Sequence, residues 1–315
     1  MMNARPLGRS GLSIPPLVLG GNVFGWSVDA AHAADVLDAA IDAGIGMIDT
    51  ADVYPAWVPG NHGGESETII GQWLRHGGRR GRVRIATKVG KWPPRRGLAP
   101  ANIEAAADDS LRRLGLERID LYFAHEDDPQ VPLADMLGAF ARLIERGKVA
   151  AIGASNFGAA RLAQALATSA AHGLPRFEVI QPEYSLVARR DYERTLAPLA
   201  QREQLGVVCY YALASGFLSG KYRSRADLGK SAARAGAVGR HLNARGLRVL
   251  AALDDVARRH RASPAQVALA WLMARPGVSA PIASATSAAQ VAELAGALHL
   301  RLDADDLARL DAVSA

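Results

Sequence analysis

Cysteine is nearly absent from this chain: Cys209, inside the apolar run GVVCYY, is the only one in 315 residues. An intrachain disulfide is therefore impossible, and a thiol buried in a strand is a better interpretation than a nucleophile. Uninterrupted apolar runs of about 20 residues, which a membrane-spanning helix needs, are also missing. The N-terminal MMNARPLGRSGL lacks the apolar core of a signal peptide. We therefore expect a cytoplasmic protein without a membrane span.

Three further absences reduce the number of functions that this sequence suggests. No sustained basic run with interleaved aromatic residues occurs, so we expect no nucleic-acid interface. The net charge of +6 is interpreted as a solubilising surface, in preference to the attraction of an anionic ligand. No G-x-G-x-x-G follows an apolar run, so the fingerprint of a Rossmann dinucleotide site is missing. No pair of histidines has the helical spacing of metal ligands, and we predict no metal site.

Short apolar runs alternate with longer helical patterns along the whole chain. Continuous apolar strands separated by helices are typical of a parallel sheet covered by helices, and eight such units favour a closed α/β barrel, a (β/α)8 TIM barrel. We find no linker or internal repeat and predict a single domain over residues 1–315. The predicted strands are Leu17–Gly20, Gly46–Ala51, Val83–Val89, Asp120–Ala124, Ala150–Ala154, Phe177–Gln181, Val207–Tyr211 and Pro281–Ser284.

Helix signals agree with this order. Proline opens three of the helical patterns, and Gly115, Gly147 and Gly206 follow helix ends as left-handed caps. RPLGRSGLSIP predicts an N-terminal hairpin that plugs the barrel, and Asp303–Val313 predicts an extra C-terminal helix. The remaining predicted helices are Ala30–Ala43, Glu65–Arg75, Pro100–Leu114, Pro132–Arg146, Gly158–Ala171, Asp191–Gln204 and Ala262–Ala274.

Two connections are longer than a normal turn, Asp52–Gly64 and the Gly-, Ser- and Arg-rich Gly216–Arg245. Loops of this length are usually functional or disordered. Both follow the carboxyl ends of strands, where barrel enzymes keep their active sites.

Four reactive side chains lie at or just after predicted strand ends: Asp49, Tyr54, Lys88 and His125. Buried charges are costly unless they are paired, so their convergence indicates a site for moving a proton at a carbonyl. A cationic Lys88 beside Tyr54 would lower the pKa of the phenol, Asp49 would pair with Lys88, and His125 would position the substrate oxygen. None of these groups supplies two electrons, so a hydride carrier is implied.

Other strand ends carry polar groups as well. Each alone is weak evidence, because a polar residue after a strand is commonly a cap or a surface group. Together they favour one functional rim. They are Ser155–Asn156, Gln181, Tyr210 and Ser284.

These segments resemble the aldo-keto reductase family. The matching motifs include GMIDTADVY, GESETIIGQWL, ATKVG, DLYFAH, GKVAAIGASNF, QPEYSL and YYALASGFLSGKY, and the resemblance reaches from Arg5 to Leu294. It implies a barrel that reduces a small carbonyl substrate with a nicotinamide cofactor and uses Tyr54 as the general acid. The resemblance also implies that Ser155, Asn156 and Gln181 hold the nicotinamide amide and that Tyr210 stacks on the nicotinamide ring. It implies that Gly21 and Asn22 border the same site. It further implies that Leu213, Ser215 and Gly216 reach the pyrophosphate and that the loop after them covers it as a flap.

The segment after the eighth strand departs from the pattern of many NADP-dependent relatives. It offers the uncharged Ser284, Thr286, Ser287 and Gln290 where a 2′-phosphate would normally recruit arginine. Arg223, Arg225 or Arg240 of the long loop could substitute. NADP(H) is our first choice of cofactor on family grounds, and NAD(H) stays open.

The acidic run Glu126–Asp128 beside His125 is interpreted as a solvated loop, in preference to a rim that disfavours anionic substrates. Trp26, Trp57 and Trp92 follow the first three strands and are candidate walls for an apolar or sugar-like substrate, although ordinary packing explains them nearly as well.

The leading hypothesis is an NAD(P)H-dependent carbonyl reductase. Three alternatives remain: an NAD-linked sugar or alcohol dehydrogenase on the same fold, a cofactor-binding regulatory subunit of the kind found in potassium channels, and a lyase that forms a Schiff base on Lys88. The sequence carries no signature that assigns an oligomeric state.

Overall fold

The protein is described by a computed structural model that covers residues 4–231 and 233–315. Met1, Met2 and Asn3, at the start of MMNARPL, and Ala232 of the long loop lie outside the described residues. Within the described part, eight parallel strands close into a barrel, each next to its neighbour in sequence, and β10 pairs with both β3 and β9. The barrel strands are β3 Val18–Gly20, β4 Met47–Asp49, β5 Arg84–Val89, β6 Ile119–Ala124, β7 Val149–Ser155, β8 Val179–Gln181, β9 Gly206–Cys209 and β10 Ala280–Ala283.

Helices lie between the strands and surround the barrel, as the alternating pattern predicts. The predicted TIM barrel is therefore confirmed, whereas the single-domain organisation of residues 1–315 stays a prediction. The helices are α1 Ala30–Asp42, α2 Glu65–Leu74, α3 Pro100–Leu114, α4 Leu133–Glu145, α5 Ala159–His172, α6 Ala197–Arg202, α7 Ala235–Gly239, α8 Ala244–His260, α9 Pro264–Met273, α10 Ala288–Gly296 and α11 Ala304–Ser314.

The strands are buried on both faces, which explains their continuous apolar sequences. In β6, Leu121 and Phe123 belong to a cluster inside the barrel, whereas Tyr122 and Ala124 pack with the helices outside. The same alternation in β5 places Ala86 in the interior cluster. Because side chains two residues apart share a face, Lys88 also points into the barrel, at its carboxyl end.

The N-terminal hairpin closes the opposite end. Strands β1 Arg5–Pro6 and β2 Ser13–Ile14 pair antiparallel. Leu7 and Ile14 are fully buried and join the cluster inside the barrel. The predicted plug is confirmed, and it leaves the carboxyl ends of the strands as the open face.

The C-terminal helix is confirmed, but three other helices, α7, α8 and α10, escaped the sequence prediction. Helix α8 has an N-cap at Asn243, whose side chain accepts a hydrogen bond from Gly246 N, and it buries Val249, Leu253 and Val256 at helical spacing. Helix α10 follows the eighth strand, where Ser287 caps it. The stretch Gly216–Arg245 also holds short helical turns rather than an irregular loop throughout.

Gly206 is not a left-handed helix cap. The residues after α6 adopt the left-handed conformation at Gln204, with φ of 53°, and Gly206 begins β9. A Cβ atom on Gly206 would lie 2.8 Å from Gly8 N. Glycine is needed there because the hairpin backbone presses against the strand. No helix of the described residues has both the length and the apolar character that crossing a membrane requires.

Helices α2 and α3 cross at Gly71, where a Cβ atom would lie 2.1 Å from the Arg113 carbonyl oxygen. We predict that Gly71→Ala lowers the free energy of unfolding by about 1–3 kcal/mol, because the crossing helices must separate. Gly138→Ala in α4 is the matched control, since its nearest neighbour is the end of the Arg142 side chain at 3.7 Å. We expect Gly138→Ala to raise the free energy of unfolding by up to about 1 kcal/mol, because alanine favours the helix more than glycine does. Urea unfolding measures both, and equal effects would contradict the close crossing.

Candidate active site

Asp49 and Lys88 form a buried ion pair at the carboxyl ends of adjacent strands. Lys88 Nζ lies 2.6 Å from Asp49 Oδ2 and donates a second hydrogen bond of 2.7 Å to the Thr50 carbonyl oxygen. Lys88 is fully buried. Burial lowers the pKa of Lys88, but the charge of Asp49 and the hydrogen bonds with Asp49 and Tyr54 more than offset this and leave the pKa raised. Lys88 is therefore a cation in this site.

Tyr54 completes the line of hydrogen bonds. Lys88 Nζ donates to the Tyr54 hydroxyl at 3.3 Å and lies 4.8 Å from the centroid of its ring. Contrary to the sequence expectation, the pKa of Tyr54 is raised, because burial of the phenol outweighs the attraction of Lys88, whose charge is already shared with Asp49. The phenol is therefore protonated, as a proton donor must be.

His125 directly follows β6 and lies beside the phenol. Its ring centroid is 5.8 Å from that of Tyr54, and the backbone N–H of His125 donates to the Val89 carbonyl oxygen at 2.8 Å. Burial, assisted by the charges of Lys88 and Lys91, holds the pKa of His125 well below its usual value, so the imidazole is neutral. Its buried Nδ1 has no hydrogen-bond partner within the described residues.

The side chains expected to hold a nicotinamide amide are linked directly to this quartet. Gln181 Nε2 donates to Asp49 Oδ1 at 2.8 Å, and Asn156 Nδ2 donates to the His125 carbonyl oxygen at 2.8 Å. Ser155 Oγ donates to the Gln181 carbonyl oxygen at 3.0 Å, and the Tyr210 hydroxyl donates to Asn156 Oδ1 at 2.8 Å. The ends of five strands, β4, β6, β7, β8 and β9, thus carry one polar network.

The first and eighth strands meet at the other side of the rim. Ser284 Oγ donates to Asn22 Oδ1 at 2.6 Å, and Gly21 N donates to the Asp49 carbonyl oxygen at 2.8 Å. A Cβ atom on Gly20 would lie 2.5 Å from Ser284 Oγ, so only glycine allows this approach. The structure brings Gly21, Asn22 and Ser284 to the same face as the quartet.

The segment after β9 forms a concave stretch of backbone. Ala214, Ser215 and Gly216 follow Leu213 and have φ values of 48°, 59° and 95°. Turns of this kind form anion-binding nests, and we call Leu213–Gly216 the nest. The N–H groups of Ala214 and Gly216 already donate to the carbonyl oxygens of Tyr211 and Leu213, at 2.7 and 2.8 Å. The pyrophosphate contact expected at Leu213, Ser215 and Gly216 therefore stays a prediction.

Two side chains beside this stretch were not predicted as site residues. Lys221 approaches Gly216, where its Nζ would lie 4.0 Å from an added Cβ atom. Tyr222 is fully buried, yet its hydroxyl has no hydrogen-bond partner within the described residues. Both belong to the motif YYALASGFLSGKY, but only folding shows that they turn back toward the nest.

The residues after the eighth strand form a self-contained polar cap. Gln290 Oε1 accepts from Thr286 N at 2.9 Å and lies 3.2 Å from Thr286 Oγ1, while Ser287 Oγ accepts from Gln290 N at 3.3 Å. Arg223 cannot serve as the substitute considered for a 2′-phosphate, because two hydrogen bonds of 2.7 Å commit it to Asp254.

Two of the three tryptophans join the quartet through their rings. The Trp26 and Trp57 centroids are 5.5 Å apart, and Trp57 lies 5.7 Å from Tyr54 and is 47% exposed. The guanidinium of Arg234, which was not predicted, lies 5.9 Å from the Trp26 centroid. The long loop after β9 thus reaches the loop after β3.

Trp92 does not belong to this chain of rings. Its Nε1 donates to the His62 carbonyl oxygen at 2.6 Å, and Arg95 lies 5.4 Å from its ring. Trp92 therefore fastens the loop between β4 and α2, which explains its position without substrate. Tyr211, which is 46% exposed and 5.1 Å from Tyr210, is a mouth residue that sequence reasoning missed.

The acidic run after His125 is ion-paired rather than simply solvated. Glu126 pairs with Arg96 at 2.8 Å and Lys91 at 3.7 Å, and Asp127 pairs with Arg161 at 3.0 Å. Its charge is therefore largely compensated at the rim. No group of three or more metal-ligating side chains occurs in residues 4–231 and 233–315.

Comparisons with known proteins agree with this geometry. The model of the Aldo/keto reductase family matches residues 16–315. Protein tas of Escherichia coli (strain K12) is 34% identical, over 97% of this chain and 95% of its own. The oxidoreductase YrpG of Bacillus subtilis (strain 168) is also 34% identical, over 97% and 94%. A protein of Schizosaccharomyces pombe that is named as a voltage-gated potassium channel subunit beta is 32% identical, over 98% and 92%.

The family model spans nearly the whole barrel, and the relatives align over nearly all of both chains. These matches agree on one protein family. An oxidoreductase name among the relatives agrees with the reactive groups at the rim. The chain belongs to the aldo/keto reductase family.

Proposed function

We propose that this protein is an NAD(P)H-dependent reductase that converts an aldehyde or ketone to an alcohol. The observation that carries the proposal is the buried line from Asp49 through Lys88 to the Tyr54 hydroxyl, with a neutral imidazole beside it. A protonated phenol next to a fixed cation is a proton donor whose conjugate base is stabilised where it forms.

Each member of the quartet has one task. Tyr54 donates its proton to the carbonyl oxygen, and the ammonium of Lys88, 3.3 Å from the phenol oxygen, stabilises the resulting phenolate. Asp49 compensates the charge of Lys88 when the phenol is neutral. His125 is uncharged and holds the substrate oxygen by a hydrogen bond without competing as an acid. A bound nicotinamide would supply the hydride.

The chain fits a dinucleotide along the same rim. Ser155, Asn156 and Gln181 would hold the nicotinamide amide, and Tyr210 would lie against the ring. The nest at Leu213–Gly216 with the nearby Lys221 would take the pyrophosphate, because the Lys221 ammonium favours an anion. The buried Tyr222 hydroxyl, which has no hydrogen-bond partner among the described residues, is an additional donor in this region.

NADP(H) remains the first choice of cofactor and NAD(H) the second. The groups at the expected ribose position, Ser284, Thr286 and Gln290, are neutral donors and acceptors. They accommodate a 2′-phosphate by hydrogen bonds but offer no ion pair. Discrimination between the two nucleotides is therefore expected to be weaker than with a dedicated arginine.

Three alternative functions differ in what would favour them. A sugar or alcohol dehydrogenase would use the same groups in reverse, with the phenolate as base. A regulatory subunit has a precedent in the names of three relatives, which are named as potassium channel beta subunits, but an intact quartet is not needed for regulation. A lyase needs a neutral amine on Lys88, whereas the ion pair with Asp49 keeps this amine protonated.

The substrate site lies between Tyr54, Trp57 and Trp26, whose rings form a continuous wall. We infer a small carbonyl compound with an apolar or sugar-like body. Within the cell we propose the cytoplasm, where nicotinamide cofactors and reduced thiols such as Cys209 prevail.

We expect Tyr54→Phe to lower the rate of carbonyl reduction by about 10²–10⁴-fold, because the general acid is lost while the ring stays. Binding of the nicotinamide cofactor should change little. Stopped-flow oxidation of NADPH with several aldehydes measures the first effect, and cofactor titration by tryptophan fluorescence measures the second. Tyr192→Phe, at a buried tyrosine between β8 and α6, controls for the loss of a buried hydroxyl. Near-normal reduction by Tyr54→Phe would contradict the assignment.

Lys221→Met should weaken the binding of both NADPH and NADH by about tenfold, because a charge-assisted contact to the pyrophosphate is lost. Lys148→Met is the control, since Lys148 precedes β7 at the opposite end of the barrel. Fluorescence titration gives all the dissociation constants, and the wild-type ratio of NADPH to NADH tests the choice of nucleotide. A Lys221 variant with unchanged affinity for both would exclude this pyrophosphate site.

A further inference from the structure

Asp52 is a buried carboxyl group that the mechanism does not use. It is 3% exposed, and neither carboxyl oxygen has a hydrogen-bond partner among the described residues. Other buried carboxylates are satisfied: Asp120 accepts from Arg80 and from Ile85 N, and Glu67 accepts from Thr87 and Arg113. An ionised carboxylate without partners is costly in such a place, so this environment favours the neutral acid.

The charges around Asp52 agree with that conclusion. The negative charge that acts on Asp52 is that of Glu67 on α2, which already holds Arg113 at 2.6 Å. Arg95 is held by Asp109 at 2.5 Å. Burial and the charge of Glu67 raise the pKa of Asp52 to about 7, because Arg113 and Arg95 compensate these effects only in part.

The remaining neighbours do not supply a cation. The Tyr122 phenol of β6 faces the same region and is fully buried, and the carboxylates of Asp52 and Glu67 add to the burial that raises its pKa. The Val53 N–H lies close to the Asp52 carboxyl without forming a hydrogen bond to it. An anionic Asp52 would therefore face Glu67 without a counterion of its own.

This part of the chain also carries the phenol. Asp52 lies two residues before Tyr54, and its N–H donates to the Lys88 carbonyl oxygen at 3.2 Å. The Tyr54 carbonyl oxygen accepts hydrogen bonds from Gly64 N at 3.1 Å and Ser66 N at 3.2 Å, at the start of α2. Glu67 belongs to the first turn of the same helix. Repulsion between Asp52 and Glu67 therefore acts across the contact that seats Tyr54.

We propose that Asp52 is a positioning residue: its neutral acid form keeps the Tyr54 loop seated on helix α2, and its anion, repelled by Glu67, loosens that contact. The inference rests on the proposed role of Tyr54 in reduction. It predicts that activity is lost just above neutral pH, through a group that touches neither substrate nor cofactor. Tyr54 itself, with its raised pKa, does not titrate in that range.

The sign of the pH effect on stability follows from the two states of Asp52. An aspartate in the unfolded chain has a pKa of about 3.9. Between about pH 4 and pH 7 the native state therefore binds a proton at Asp52 that the unfolded state has lost. The contribution of this group therefore destabilises the native state as pH rises, by about tenfold in the unfolding equilibrium constant per pH unit in that window. Above about pH 7 the loss is complete.

Asp52→Asn removes the charge and keeps the shape, so it tests the proposal directly. We expect the single-turnover rate of the wild type to fall about tenfold per pH unit above a midpoint near pH 7, and the variant to lack this fall. Thermal unfolding should show a stability difference in favour of the variant that grows from pH 5 to about pH 7 and then stays constant. Asp38→Asn, at an aspartate held by Arg79 and Trp73, should keep the wild-type profile. A variant profile identical to that of the wild type overturns the proposal.

Carbon-13 NMR of aspartate-labelled wild-type protein, free of cofactor, gives an answer that does not need a folded variant or an active enzyme. We expect the Asp52 carboxyl to titrate near pH 7 together with the amide signals of Tyr54 and Gly64. A midpoint near that of an ordinary aspartate, or loop signals that do not follow the titration, overturns the inference. Absence of any carbonyl reduction at all pH values, with this titration present, would instead overturn the proposed function alone.

Discussion

The buried contact between Lys88 and Asp49 is the interaction on which the candidate site depends. Two charges taken out of water cost more than their attraction returns unless other hydrogen bonds complete the arrangement. Here the Thr50 carbonyl oxygen and the Tyr54 hydroxyl complete Lys88, and Gln181 completes Asp49. The ion pair thus requires contributions from neighbouring strands, and the barrel geometry supplies them in the correct positions.

The apolar residues that stabilise the barrel and the polar residues of the candidate site lie at opposite ends of its axis. At one end the N-terminal hairpin inserts Leu7 and Ile14 into the interior, where they pack with Val18 and Met47. At the other end the interior apolar residues give way to polar ones at the last position of several strands. Loops there carry the exposed Trp57 and Tyr211, which have no role in the core. The interior of the barrel therefore tolerates little change, whereas the mouth can vary with the substrate.

Much of the fold could be predicted because its signals are local. Helix α3 has the predicted limits, and most strands differ from the prediction by one to two residues at an end. Helix α8 was missed although its N-cap Asn243 and the spacing of Val249, Leu253 and Val256 were visible, because the Arg-rich stretch before it was interpreted as one long loop. Gly206 was misassigned because a glycine after a helix serves equally as a cap or as a point of close approach.

The sequence by itself determined the strand–helix alternation, the plugged end and the identity of the four reactive groups at the strand ends. The tertiary structure alone decided which of them touch, that Trp92 fastens a loop while Trp26 and Trp57 line the mouth, and that Lys221 turns toward the nest. It also decided protonation: burial raises the pKa of Tyr54 against the attraction of Lys88, and Asp52 has no hydrogen-bond partner among the described residues. Desolvation of a titratable group depends on all the residues packed around it. Many of these neighbours are distant in the chain, so a local sequence pattern does not reveal them.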